Sequence, residues 1–236
     1  MVILITGASK GIGADLARSF TAAGHTVLLV SRNKNKLEQV AASCSNNGGE
    51  KLAHSIPFDL TELDNLEAEF LSQLNARVAT IDALVNNAGQ LINKPFTAIS
   101  MQEARYLFEV NFFVAARLIK ICLPKMVSSK LRHVVNVTSM GGFQGSAKFS
   151  GLSYYSSSKA ALGSLTECLA EELKEEKIKV NALAIGSVQT EMLAEAFPGY
   201  KAPLQPSQMA EFLNWFTLEG AAYFNGKILP VSLATP

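Results

Sequence analysis

The stretch that decides the fold is Val2–Ala23, VILITGASKGIGADLARSFTAA. Its apolar run Val2–Ile5 predicts a buried strand, and the run Ala14–Ala23 predicts a helix. Three glycines separate the two runs: Gly7, Gly11 and Gly13. A side chain at any of these positions would block the sharp turn, the approach of a diphosphate or the packing of helix on strand. Because the free amides of a helix N-terminus attract phosphate, the stretch predicts a nucleotide-binding turn.

Composition and charge limit the class of protein. Of the 236 residues, 48% are apolar and 17% are charged, which is enough for one α/β domain with a buried core. A net charge of +1 offers no electrostatic footprint for nucleic acid or for an anionic membrane. We therefore expect neither as a partner.

The chain also lacks signals for secretion, membrane insertion and metal binding. No run of about 18 apolar residues occurs, and the short apolar N-terminus serves as the first strand. The three cysteines lie far apart and form no Cys-x-x-Cys motif: Cys44, Cys122 and Cys168. This pattern disfavours a disulfide framework and a metal site. We expect a soluble, cytoplasmic protein without a structural metal.

Strand-like and helix-like stretches alternate along the whole chain. The candidate strands are Val2–Ile5, Thr26–Val30, Lys51–Phe58, Ile81–Val85, His133–Val137, Lys179–Ile185 and Lys227–Val231. The helix-like stretches include Lys36–Cys44, Leu63–Leu74, Met101–Lys125 and Tyr155–Lys174. The strands read as continuous apolar runs, as strands covered on both faces should. The pattern predicts a single domain, residues 1–236, with a doubly wound parallel sheet of about seven strands and helices on both faces.

In such a sheet the ligand lies at the carboxyl ends of the strands, so residues that end a strand are informative. The second strand ends in Ser31-Arg32-Asn33, with no carboxylate to bind the ribose 2′-hydroxyl of NAD. Arg32 offers a fork for a 2′-phosphate, and Lys10 adds a second positive charge. Together they favour NADP(H) over NAD(H). The alternative is that Arg32 caps an exposed turn and Lys10 is solvated.

The third strand ends at Phe58-Asp59-Leu60. Asp59 could accept a hydrogen bond from the adenine amino group. It could equally cap the next helix, because Thr61 and Glu62 follow it.

Four motifs together resemble the short-chain dehydrogenase/reductase family. They are Thr6–Gly13, Asn86-Asn87-Ala88-Gly89, Ser139 and Tyr155-x-x-x-Lys159. The resemblance covers nearly the whole chain. It implies a Rossmann-type NAD(P)-binding domain that reduces a ketone to a secondary alcohol, similar to the 3-oxoacyl-thioester reductases.

The spacing of Tyr155 and Lys159 suits proton transfer. Residues four apart share a helix face, so the ammonium can sit beside the phenol. Lowering a phenol pKa from about 10 to about 7 requires about 4 kcal/mol, which a unit charge about 4 Å away supplies at a dielectric near 20. We expect Tyr155 to act as general acid/base, with Ser139 holding the same substrate oxygen. Tyr154 is the rival phenol, but it has no lysine four residues later.

The resemblance assigns further residues to the site. It places Asn111 in a helix kink that holds a water in a proton relay behind the lysine; the alternative is an asparagine bonded to neighbouring backbone. It implies a cofactor site formed by Gly7, Ser9, Lys10, Gly11, Ile12, Gly13, Arg32, Asp59, Leu60, Asn86, Ala88, Gly89, Tyr155, Lys159, Val188 and Thr190. The catalytic set is Ser139, Tyr155, Lys159 and Asn111.

Two segments depart from the family pattern. The chain reads Ile185-Gly186-Ser187 where the family usually shows Pro-Gly, and we expect altered loop order without loss of binding. The C-terminal segment lacks the Asp-Gly-Gly of many bacterial members, which puts the usual tetramer contact in doubt. Small residues on more than one face of the helix after Tyr155 still indicate a homodimer or homotetramer.

A lid is predicted around residues 186–206. It carries apolar side chains among helix breakers, and a loop after the fifth strand would join it: Met192, Leu193, Phe197 and Tyr200, with Met140, Phe143 and Phe149. These point to a moderately apolar small-molecule carbonyl substrate; core packing of a short helix is the alternative. Two other functions stay open, an NAD-linked alcohol or sugar dehydrogenase and a non-catalytic NADPH-sensing regulator.

Overall fold

The computed structural model describes residues 1–44, 49 and 51–233. The strands are β1 (Val2–Thr6), β2 (Thr26–Ser31), β3 (Ala53–Pro57), β4 (Ala83–Asn86), β5 (His133–Ser139), β6 (Lys179–Ile185) and β7 (Ile228–Val231). The α-helices are α1 (Gly11–Ala22), α2 (Lys34–Ser43), α3 (Leu63–Asn75), α4 (Met101–Phe108), α5 (Val114–Met126), α6 (Ser153–Glu172), α7 (Glu191–Ala196) and α8 (Pro206–Glu219).

The strands form one parallel sheet in the order β3-β2-β1-β4-β5-β6-β7. In register, Leu4 of β1 lies between Leu28 of β2 and Leu84 of β4. The strand order reverses between β1 and β4, so loops leave the sheet in opposite directions there and open a crevice at its carboxyl edge. The predicted Rossmann-type fold is confirmed.

Two apolar layers cover the sheet. On one face α1 and α8 pack closely, burying Phe20 and Phe216. On the other face α3 and α5 bury Phe70 and Leu118. No helix in the described part of the chain is long and apolar enough to span a membrane.

Two helical features differ from the sequence prediction. The helix expected over Met101–Lys125 is interrupted by a π turn, Glu109–Phe113, which separates α4 from α5. Helix α8 was not singled out from the sequence, although Pro206 at its first position and a capping pair of Gln205 and Gln208 mark its start.

Candidate active site

A cavity of about 440 Å³ opens at the carboxyl edge of the sheet, over the crevice between β1 and β4. Its wall brings together residues from five strand ends, the glycine-rich turn and α7. Of the predicted site residues, these line it: Gly7, Ser9, Lys10, Gly11, Ile12, Arg32, Asp59, Leu60, Ala88, Gly89, Ser139, Tyr155, Lys159, Val188 and Thr190. Residues distant in sequence therefore meet at one site.

The glycine-rich turn is too tight for side chains. A Cβ at Gly13 would lie 2.5 Å from the carbonyl oxygen of Gly7. Gly7 itself has φ +65°, and a Cβ there would lie 2.9 Å from Cα of Ala88. Gly13 thus supports the turn from beneath, while Gly7 and Gly11 face the cavity. This is the geometry a closely approaching diphosphate requires.

Asn86 lies below the cavity. It is 3% exposed, and its amide donates to Oδ1 of Asn136 at 2.9 Å. Its neighbour Asn87 lines the wall and ties β4 to β1 by donating to the carbonyl oxygen of Thr6 at 2.9 Å. Strand alternation explains the difference, because successive side chains leave a strand on opposite sides.

The end of β2 carries the expected cation. Arg32 is exposed and donates to the Tyr106 hydroxyl at 3.3 Å, and it lies 3.8 Å from the Asp59 carboxylate. Beneath it, the hydroxyls of Ser9 and Ser31 hydrogen-bond at 2.8 Å. This end of the cavity thus presents a guanidinium, two hydroxyls and the Asp59 carboxylate. Asp59 caps the following turn by accepting from Thr61 N at 3.1 Å, as the capping alternative expects, and it also lines the cavity.

Tyr155 and Lys159 project from α6 into the cavity, opposite Ser139 at the end of β5. Burial lowers the pKa of Lys159 to about 8. Burial also raises the pKa of the Tyr155 phenol, while the Ser139 hydroxyl acts in the opposite direction. The lowering expected from the lysine is therefore not found, because desolvation of the phenolate outweighs the hydrogen bond from Ser139.

Asn111 lies in the π turn, 1% exposed. Its Oδ1 accepts from the amide of Gln90 at 2.8 Å, and its Nδ2 donates to the Gln90 carbonyl at 2.9 Å. The expected kink is present, and so is the backbone-bonded alternative. A Cβ at Gly89 would lie 3.2 Å from Nζ of Lys159 and 3.3 Å from Oδ1 of Asn111. Glycine at 89 therefore lets the loop after β4 pass beside both side chains.

The loop after β5 contains residues that sequence reasoning missed. A Cβ at Gly142 would lie 2.7 Å from the backbone nitrogen of Ala160, so the loop touches α6 directly. The ammonium of Lys148 donates to the carbonyls of Gly141 and Phe143 at 3.0 and 2.6 Å. These contacts hold the loop that begins at Ser139. The sequence signal for this close contact was the pair Gly141-Gly142 after the end of β5.

The segment predicted as a lid contains the short helix α7, in which the Thr190 hydroxyl accepts from Leu193 N at 3.2 Å as the N-cap. Met192 and Leu193 line the cavity, as expected, and so does Glu195. Among the described residues, the wall does not include Phe197 or Tyr200, nor the three residues of the β5 loop that were expected to join the lid: Met140, Phe143 and Phe149.

The residues present fit a nicotinamide dinucleotide. The N-terminus of α1 faces the cavity without a side-chain cap, so its amides are free for a diphosphate. Arg32 and Tyr155 line the same cavity as this helix N-terminus.

Comparison with known proteins agrees. A family model described as short chain dehydrogenase matches residues 1–201. The chain is 34% identical over 215 residues to a fatty acyl-CoA reductase of Acinetobacter baylyi, covering 90% of this chain and 71% of the relative. It is 31% identical over 241 residues to the 3-oxoacyl-[acyl-carrier-protein] reductase FabG of Aquifex aeolicus, covering 98% and 95%.

A solved structure gives the same result. The 3-ketoacyl-(acyl-carrier-protein) reductase from Brucella melitensis, complexed with NADH, superposes with a TM-score of 0.84 at 26% identity. The match covers 98% of this chain and 96% of that one.

Proposed function

The chain belongs to the short chain dehydrogenase family of oxidoreductases, and on that premise we propose that it is an NADPH-dependent reductase that converts a ketone into a secondary alcohol. The observation that carries the proposal is the meeting of Tyr155, Lys159 and Ser139 at one cavity with the glycine-rich turn. A nucleotide-binding protein without chemistry has no need of a phenol and a buried ammonium at the same cavity.

The chain's own residues manage the proton. When bound, the reduced nicotinamide supplies hydride to the carbonyl carbon. Tyr155 donates its phenolic proton to the substrate oxygen, and the Ser139 hydroxyl hydrogen-bonds that oxygen and orients it. The Lys159 ammonium stabilises the phenolate left behind, at a cost that its own lowered pKa measures. Asn111 holds the loop after β4 behind them.

The proposed preference for NADP(H) rests on the end of β2. Arg32 and Lys10 line the cavity, and the hydroxyls of Ser9 and Ser31 lie at the same end. The Asp59 carboxylate, 3.8 Å from Arg32, is the partner that a 2′-phosphate would have to replace. A guanidinium recognises phosphate by two parallel hydrogen bonds.

The proposed substrate is a moderately apolar ketone, with a 3-oxoacyl thioester as the first class to test. Leu91, Met192 and Leu193 give the cavity that Tyr155 lines an apolar part of its wall. The reductases of acyl thioesters among the relatives support the same choice.

The proposal includes a cytoplasmic homo-oligomer. Cys44 and Cys122 are free, buried thiols, which is typical of a reducing compartment. The apolar side chains of Phe212 and Trp215 on α8 are partly exposed, as a subunit contact would require. Light scattering of the purified protein measures the assembly, and a monomer at all concentrations contradicts that part.

The test of the proposal is loss of reduced-nicotinamide absorbance with NADPH and with NADH across 3-oxoacyl thioesters, diketones, ketosteroids and quinones. Tyr155→Phe should lower kcat at least about a hundredfold, while Tyr154→Phe, the adjacent phenol, should keep wild-type turnover. NADPH binding without turnover of any carbonyl or alcohol would favour a sensor. Turnover with NADH alone would favour an NAD-linked dehydrogenase.

A further inference from the structure

Ser158 occupies an unusual place in the stretch Tyr155-Ser156-Ser157-Ser158-Lys159. It is 0% exposed, whereas the preceding residue of α6, Ser157, is exposed. Its hydroxyl donates to the carbonyl oxygen of Tyr155 at 2.7 Å. The same hydroxyl oxygen accepts from Nδ2 of Asn111 at 3.0 Å. One buried hydroxyl therefore connects the π turn to the helical turn that carries the phenol.

This contact completes a chain of bonds across the site. The side chain of Asn111 also forms two hydrogen bonds with the backbone of Gln90, one through Oδ1 and one through Nδ2. Gln90 follows Gly89 in the cavity wall. The path thus runs from the loop after β4, through Asn111 and Ser158, to the backbone of Tyr155. Its members are joined at 2.7 to 3.0 Å. Both ends of the path face the cavity.

We propose that Ser158 is a positioning residue, which acts through Asn111 to hold the turn of Tyr155 and Lys159 in register with the cofactor-binding loop. The kinetic part rests on the proposed reductase function. Ser158 itself does not line the cavity among the described residues, so it exchanges no proton with substrate. Its effect is geometric, because displacing a reacting group by about 1 Å can cost a hundredfold in rate.

The physical reason is hydrogen-bond satisfaction in a buried place. Ser158→Ala leaves one N–H of Asn111 without an acceptor, and an unsatisfied buried donor drives neighbouring groups to shift. The π turn is the element free to shift, because its hydrogen-bond pattern already departs from the α-helix. The shift moves Gly89 and Gln90 relative to Tyr155.

The experiment compares Ser158 with its neighbour Ser157. Ser158→Ala should lower kcat five- to twentyfold, leave the KM for cofactor within twofold, and keep the shape of the pH profile. Ser157→Ala, the matched exposed control, should keep kcat within twofold. Ser158→Cys retains a small group with weak hydrogen-bonding capacity and should fall between Ser and Ala. Equal kcat in Ser158→Ala and Ser157→Ala overturns the proposal, as does a pH profile that shifts only in Ser158→Ala.

A double-mutant cycle separates bridging from independent effects. Combined with Asn111→Ala, Ser158→Ala should add less than a twofold further loss of kcat, since the bridge is already broken. Losses that multiply contradict the proposal.

A second arm needs no substrate. Urea unfolding of the same four proteins should show the two substitutions to be non-additive in unfolding free energy. Absence of turnover in wild type with this coupling present means that the proposed reaction failed and the bridge stands. Additive unfolding effects mean that the bridge failed.

Discussion

The ammonium of Lys159 donates to the carbonyl oxygen of Val137 at 2.8 Å, which ties the phenol's cationic neighbour to the strand that ends in Ser139. The lysine is 4% exposed, and its pKa is lowered to about 8 by burial. Keeping Lys159 charged at neutral pH therefore lowers the free energy of unfolding. This effect has a measurable pH dependence.

The unfolding free energy should rise as the pH rises from about 8 to about 10.5. Between these values the unfolded chain binds a proton that the folded chain has released, so the destabilising contribution of Lys159 is complete below 8 and absent above 10.5. Urea titrations at pH 7, 9 and 10.5 measure it. Lys159→Met should flatten this rise, and Lys120→Met, an exposed control, should keep it. Equal slopes in wild type and Lys159→Met would show that burial costs the lysine nothing.

His133 predicts a loss of stability in acid. It is 0% exposed, its Nε2 accepts from Asn181, and its pKa is lowered to about 4 by burial. The unfolded state binds the proton first as the pH falls, so about 3 kcal/mol is lost between pH 6.5 and 4. His133→Gln should reduce this slope, measured by urea unfolding.

His54 provides the matched histidine. It lies half-buried in β3, and its pKa is lowered by burial and by nearby cations. His54→Gln should leave most of the acid slope in place. A larger effect from His54 than from His133 would contradict the assignment.

Gly13→Ala should damage both stability and cofactor binding. Its Cβ would lie 2.5 Å from a backbone oxygen of Gly7, which cannot move without opening the turn. We expect a loss of 2 kcal/mol or more, on the order of other overpacked sites, and at least tenfold weaker NADPH binding by fluorescence titration. Gly163→Ala, also inside a helix, meets only the end of Ile228 at 3.0 Å and should bind NADPH normally.

Arg32→Ala should weaken the binding of NADPH much more than the binding of NADH. A charge-assisted hydrogen bond contributes about 1.5–3 kcal/mol, so NADPH should bind at least tenfold more weakly, while NADH binding changes less than threefold. Lys34→Ala, which removes an exposed cation paired with Glu38, is the control. Equal weakening of both cofactors would mean that Arg32 supports the turn and does not read the phosphate.

Asn93 forms a hydrogen bond with helix α7, which lies in the segment predicted as a lid. Its amide donates to the carbonyl oxygen of Ala196 at the end of α7 at 2.9 Å. Helix α7 buries none of its residues, so this bond restrains it directly. In Asn93→Ala, amide hydrogen exchange in α7 should increase about fivefold, as expected for one lost hydrogen bond. Asn65→Ala, which removes an exposed bond to Glu62, should leave α7 unchanged.

Much of this fold follows from local sequence. The alternation of apolar strands and amphipathic helices is a short-range pattern, and it predicted all seven strands with small errors at their ends. Helical periodicity does not indicate the π turn, because residues 101–125 are periodic throughout, and only the family resemblance placed a kink at Asn111. The insertion is stabilised by contacts of Asn111 with Gln90 and Ser158, distant in sequence.

The residue types on which the proposed chemistry rests could be identified from the sequence alone: a turn that only glycines can make, a phenol and an ammonium four residues apart, and a cation at the end of the second strand. These features depend only on residue type and on spacing along the chain, and the geometry of a helix or a turn converts that spacing directly into positions in space. Only the tertiary structure decided that Asn87 and not Asn86 faces the cavity, that the phenol pKa is raised, and that Ser158 is buried. Burial and partners depend on which distant segments pack together, and no spacing along the chain encodes them.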